Sequence, residues 1–86
     1  MRYMKVVKIY SKTCGPCKVL EKNLQLAGIE HESVDINSEA GEEAVDQYGI
    51  RTVPTLILLN DNNELIRKQV GLLNVEELKK FVNEAD

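Results

Sequence analysis

Apolar positions along this chain change spacing several times, and each change marks an element. Val6, Val7, Ile9 and Tyr10 form a short run of β-branched and aromatic residues, which predicts a strand over Met4–Tyr10. After Ser11-Lys12-Thr13 the pattern becomes helical: Cys17, Leu20, Leu24 and Ala27 recur at intervals of three, four and three, which is one helix face. Gly28 follows as a stop, so the first helix is read as Gly15–Ala27. Val34 and Ile36 alternate with polar residues and predict a second strand over His31–Ile36. A strand–helix–strand order in so few residues predicts a right-handed parallel crossover.

Asn37 or Ser38 can cap a second helix whose apolar face is Ala40, Ala44, Val45 and Tyr48. Glu39, Glu42 and Glu43 lie near its positive end, and Gly49 ends it. Gly41 counts against this helix by about 1 kcal/mol relative to alanine. The continuous run Leu56–Leu59 suits a central strand buried on both faces. Asn60-Asp61-Asn62-Asn63 is a dense turn signal, after which Glu64–Val70 can return as the antiparallel partner of a hairpin. Gly71 closes that strand. Asn74 with Glu77 has the form of a capping box for a last helix over Val75–Glu84, with Val75, Leu78, Phe81 and Val82 facing inward. The order is β-α-β-α-β-β-α, an α/β fold.

Composition narrows the class. With 86 residues, 43% of them hydrophobic, the chain makes one domain, 1–86, with a core that has little to spare. No apolar run approaches the roughly 18 residues of a membrane span. The start Met1-Arg2-Tyr3-Met4-Lys5 leads into a run too short and too charged for a signal peptide, so a cytoplasmic, reducing location is expected. A monomer is expected as well. The net charge is −3 and no basic stripe appears, which argues against nucleic acid or an anionic membrane as partner.

Candidate chemistry concentrates at Cys14-Gly15-Pro16-Cys17, which holds the chain's two cysteines. If the helix begins here, the thiols are close enough to form a disulfide in a four-residue loop. The positive end and unsatisfied N–H groups of a helix start stabilise a thiolate at Cys14, and in such motifs the thiol pKa falls from roughly 8.5 toward roughly 7. Gly15 lets the backbone turn and leaves room for a substrate. Pro16 pre-sets φ for the first turn. Lys12 and Lys18 flank the pair as solvated charges that can also tune the thiolate. An inert structural disulfide remains open, although a loop this short constrains the unfolded chain little. Zinc is disfavoured, because two thiols and the lone His31 cannot fill a tetrahedral site, and no metal is expected. His31 reads as an exposed strand-edge residue, Tyr48 as core, and Glu39–Glu43 as a solvated helix face.

Taken together, Cys14-Gly15-Pro16-Cys17-Lys18 after a strand, Tyr48-Gly49-Ile50-Arg51 with Val53-Pro54-Thr55 before a buried strand, and Val70-Gly71 before the last helix resemble the thioredoxin-like superfamily. The resemblance spans nearly the whole chain. It implies a minimal thioredoxin-like fold, with a four-stranded mixed sheet and three helices. The Met4–Tyr10 strand would lie centrally, between the His31–Ile36 and Leu56–Leu59 strands. It implies a cis Val53–Pro54 bond, with Pro54 against the disulfide and the Val53 backbone free to pair with an extended substrate. It also implies thiol–disulfide exchange on protein disulfides. Cys14 would attack and Cys17 resolve, with Gly15, Pro16, Val53, Pro54 and Gly71 forming the substrate surface. No prosthetic group is needed beyond the Cys14–Cys17 disulfide. Electrons would come from a thioredoxin-reductase-like flavoenzyme using NADPH.

This chain departs from the family pattern in two informative places. Thioredoxins carry Trp before the first cysteine, where this chain has Thr13 and no Trp anywhere. They also carry a buried Asp six residues before the nucleophile, as proton acceptor for the resolving thiol. Here that count reaches Lys8, read as a strand residue whose head reaches solvent, which leaves general-base help to water or another group. A glutaredoxin-like, glutathione-dependent reductase is the rival within the fold. Thr52-Val53-Pro54 suits it, and Lys12 and Arg51 could hold a carboxylate. The Gly-Pro linker, the single Gly71 and Asn74 in place of an acid do not suit it. A redox-linked binding subunit that docks through the Pro54 groove and seldom turns over is the reading from a different class.

Overall fold

The computed structural model describes residues 4–83. Its elements are β1 (Met4–Tyr10), α1 (Gly15–Leu26), β2 (Glu32–Asp35), α2 (Glu39–Tyr48), β3 (Thr55–Asn60), β4 (Leu65–Val70) and α3 (Val75–Asn83). All seven expected elements are present, with ends shifted by at most one residue. The expected end of α3 at Glu84 lies outside the described residues. Four strands form one sheet in the order β2-β1-β3-β4. β1 runs parallel to β2 and antiparallel to β3, and β3 is antiparallel to β4, so the sheet is mixed and β1 is central as expected.

Side chains alternate across a strand, so the two inner strands send successive residues to opposite layers. Val6, Leu56 and Leu58 pack with Leu20 and Leu24 of α1 and Leu78 and Phe81 of α3. Val7, Ile9, Ile57 and Leu59 pack with Ala44 of α2 and with Ile50. Lys8 shares the alternation of Val6, and its side chain lies in the α1/α3 layer with 7% of its surface exposed. The expectation that its head reaches solvent is therefore wrong. A central strand covered by helices leaves no short path to water for a residue at its middle.

The helix ends are held locally. Ser38, rather than Asn37, caps α2: its Oγ accepts from the Gly41 N–H at 3.0 Å. Asn37 instead donates its N–H to Asp35 Oδ1. The Asn74/Glu77 capping box is reciprocal, with N–H groups donating to the opposite side chains at 2.9 and 2.8 Å. Gly41 is more than a weak helix residue. A Cβ there would overlap the backbone of Asp35 and Ile36, so glycine lets α2 approach the end of β2. Tyr48 packs at the edge of the α2 layer and donates its hydroxyl to Asn63 O at 2.9 Å. No described helix is long and apolar enough to cross a membrane.

Candidate active site

β1 ends at Tyr10, and the chain turns through Ser11-Lys12-Thr13 onto the start of α1. The turn is closed by Cys14 N–H donating to Ser11 O at 3.2 Å. Cys14 is the N-cap of α1, in extended conformation, and its sulfur accepts from the Cys17 N–H at 3.1 Å. A cysteine thus fills the place that Ser, Asp or Asn usually takes, and satisfies one of the helix's orphan donors. Cys14 and Cys17 are disulfide-bonded. Cys14 is half-buried, whereas Cys17 lies on the buried face with Leu20 and Leu24 and is 2% exposed. Pro16 stands in the first turn and is exposed.

Gly15 does not have positive φ, so the backbone turn does not require glycine here. A Cβ at Gly15 would meet nothing within 4 Å, which leaves open space beside the disulfide.

The sheet register brings the other expected residues to the same end of the molecule. Thr55 at the start of β3 pairs with Ile9 near the end of β1, and also with Val70 at the end of β4. Pro54 and Gly71 extend these strands, and the Gly71 N–H donates to Pro54 O at 2.9 Å. Gly71 has φ 97°, a conformation that L side chains rarely adopt. The Val53–Pro54 bond is cis. Pro54 is buried, Val53 half-buried, and Val70 and Leu72 are 51% and 47% exposed. Lys12 and Lys18 are exposed, and both line a cavity of about 360 Å³ on the Cys17 side of the disulfide. Arg51 is exposed. No three His, Cys, Asp or Glu side chains among the described residues gather as metal ligands would.

Glu21 and His31 were not singled out as site residues, and the structure joins them to Lys8. Glu21 Oε1 accepts from Lys8 Nζ at 2.6 Å and lies 2.8 Å from His31 Nε2. Gln25 and Ser33 also donate to this carboxylate. Hydrogen bonds from Lys8 first, then from His31, hold the Glu21 pKa down at about 2. His31 is not an exposed edge residue: its side chain is 9% exposed, because Glu21 and Ile29 O hold the ring inward. The sequence signal for this cluster was the placement of Glu21 one helical turn after Cys17, on the same face.

The thioredoxin family profile matches residues 2–84. The chain belongs to the thioredoxin family. It is 32% identical over 81 residues to the SPbeta prophage-derived thioredoxin-like protein YosR of Bacillus subtilis, covering 94% of this chain and 98% of that protein. It is 36% identical over 74 residues to a thioredoxin of the same organism, covering 81% of this chain and 70% of the relative. Among solved structures, a point-mutant thioredoxin from Halobacterium salinarum superposes with TM-score 0.82 at 27% identity, over 95% of this chain and 74% of that one. With its redox-active Cys14–Cys17 pair, this thioredoxin-family chain is a thiol–disulfide oxidoreductase of the protein-disulfide reductase kind.

Proposed function

We propose that the chain works as a single domain, residues 1–86, and as a cytoplasmic monomer. In this reading it passes electrons from an NADPH-linked, thioredoxin-reductase-like flavoenzyme to protein disulfides. The observation that carries the reading is the asymmetry of the disulfide: Cys14 is a half-buried N-cap and Cys17 a buried neighbour. In the reduced protein, Cys14 is the nucleophile. Its thiolate gains from the Cys17 N–H and from the positive end of α1, with Lys12 and Lys18 adding to the local positive potential. Attack on a substrate disulfide forms a Cys14–substrate mixed disulfide and releases one substrate thiol. Cys17 then loses its proton, attacks Cys14 Sγ and displaces the second substrate sulfur, which takes up a proton. Two substrate thiols form as the Cys14–Cys17 disulfide closes.

Gly15, Pro16, Val53, Pro54 and Gly71 form the substrate surface. The open space at Gly15 and the exposed Val70 and Leu72 around Gly71 support docking of an extended, partly apolar segment that pairs with the Val53 backbone. Insulin reduction with dithiothreitol, run on wild type and Cys14→Ser, tests the enzyme reading. Wild type is expected to accelerate precipitation and the variant not; equal rates would discard it. Coupled turnover with thioredoxin reductase, set against glutathione plus glutathione reductase, tests the electron source. Efficient turnover with glutathione alone would overturn the proposed partner.

A further inference from the structure

The Lys8–Glu21–His31 cluster lies beside the resolving cysteine, and nothing in the reaction above uses it. Cys17 and Glu21 are one turn apart on the same face of α1. Lys8, Cys17 and Glu21 all line the cavity of about 360 Å³, together with Tyr10, Lys12 and Lys18. The Lys8 ammonium is fixed by Glu21 Oε1 at 2.6 Å and lies 5.1 Å from the centroid of the Tyr10 ring. His31 Nδ1 is 3.1 Å from Ile29 O and Nε2 is 2.8 Å from Glu21 Oε1, and both of these oxygens are acceptors. Lys8, Lys12 and Lys18 face the single carboxylate of Glu21 across this cavity, so its surplus charge is positive.

Two acceptors for the Cys17 proton can be weighed against that arrangement. Lys8 is already protonated and accepts nothing. Glu21, held far below the thiol range, is too weak a base to retain a thiol proton. A fixed positive charge close to Cys17, poorly screened because it is buried, acts instead by favouring the thiolate directly.

We propose that Lys8, locked in place by Glu21 and His31, is the positioning residue that favours the Cys17 thiolate during resolution of the mixed disulfide. The step balances without a bound base. The Cys17 proton leaves to water in the cavity, the Cys17–Cys14 bond forms, the Cys14–substrate bond breaks, and the departing substrate sulfur takes a proton. This inference rests on the assignment of Cys17 as the resolving thiol. The groups that set its charge are Lys8 and Tyr10 of β1, Lys12 of the following loop, Lys18 and Glu21 of α1, and His31 ahead of β2.

The test reads the Cys17 thiolate by its ultraviolet absorbance against pH in the Cys14→Ser background. It also reads the single-turnover rate at which the Cys14 mixed disulfide resolves in the two-cysteine protein. Lys8→Met is expected to lower the thiolate fraction at neutral pH, and the resolution rate with it, about tenfold, while initial attack by Cys14 changes less. Lys8→Arg should restore both. Glu21→Gln keeps a side-chain carbonyl that can accept from Lys8 but removes an anion from the cavity wall, so it should raise the thiolate fraction. Loss of thiolate in Glu21→Gln would make the carboxylate the proton acceptor and overturn the proposal, even if Lys8→Met failed to fold. So would a folded Lys8→Met with wild-type thiolate and resolution. If wild type itself failed to resolve the mixed disulfide, the reading of Cys17 would fall, and this inference with it.

Discussion

The two sides of the sheet are built from the same two strands and have opposite characters. On the α2 side, Val7, Ile9, Ile57 and Leu59 meet Ala44 and Ile50, and the buried polar side chain on that alternation, Thr55, is neutral and donates to Thr52 O. On the α1/α3 side, Val6, Leu56 and Leu58 begin a similar layer, but the next inward position of β1 is Lys8, which meets Glu21 and His31 beside Cys17. An apolar layer contributes stability through area removed from water. An ion pair between a buried lysine and a partly exposed carboxylate contributes little net stability, because desolvation and solvent screening offset its attraction. Both sides bury apolar area, and the α1/α3 side adds a charged cluster that lines one cavity with Cys17.

Substitutions can break or sharpen this contrast. The largest expected effect is on the apolar side, where Ile57→Ala should cost about 2–5 kcal/mol. Lys8→Met combined with Glu21→Gln should change stability by roughly 1 kcal/mol or less, in either direction. Urea unfolding of the two variants decides it, and equal losses would erase the distinction between the layers. Gly41→Ala comes next. Helix propensity alone predicts a gain of about 1 kcal/mol. Overlap with the Asp35 and Ile36 backbone predicts instead a loss of about 1–3 kcal/mol, and thermal unfolding reads the sign. On the charged side, Asn74→Ala should cost about 1 kcal/mol by removing the cap of α3, visible as a lower urea midpoint.

The smallest expected effect is a pH dependence. Glu21 has a folded pKa of about 2 against an ordinary 4.5, so the unfolded chain binds the extra proton between those values. The stability it contributes is complete above 4.5 and is lost as pH falls toward about 2. Its carboxylate is partly exposed, so solvent screening keeps this contribution modest. Wild type should lose more stability than Glu21→Gln across that window, measured by urea titration at each pH. Parallel curves would show that the Lys8–Glu21 bond does not survive in solution.

What could be read from the chain was what is local. The strand, the Cys14–Cys17 spacing and the apolar face through Leu20 and Leu24 lie within one stretch. Pro54 and Gly71 took their meaning from the resemblance, since local chemistry alone makes a cis bond the minority outcome. What escaped was what the fold brings together from afar. Lys8, Glu21 and His31 come from a strand, a helix and a loop, and no spacing links all three. One part was nonetheless available. A central β1 with Val6 and Lys8 on one alternating face already implies that Lys8 is enclosed, and an enclosed lysine needs a partner. Gly41 could not be read at all, because its reason is the backbone of Asp35 and Ile36 a few residues earlier in the chain, pressed against it only after folding.

The most direct measurement of the dithiol account is alkylation of the fully reduced protein with iodoacetamide across neutral pH, with the modified residue identified by mass spectrometry. Cys14 should be modified first, faster than free cysteine at pH 7, with Cys17 protected until the chain unfolds. A Cys14 no more reactive than free cysteine, or a Cys17 modified first, would contradict the account.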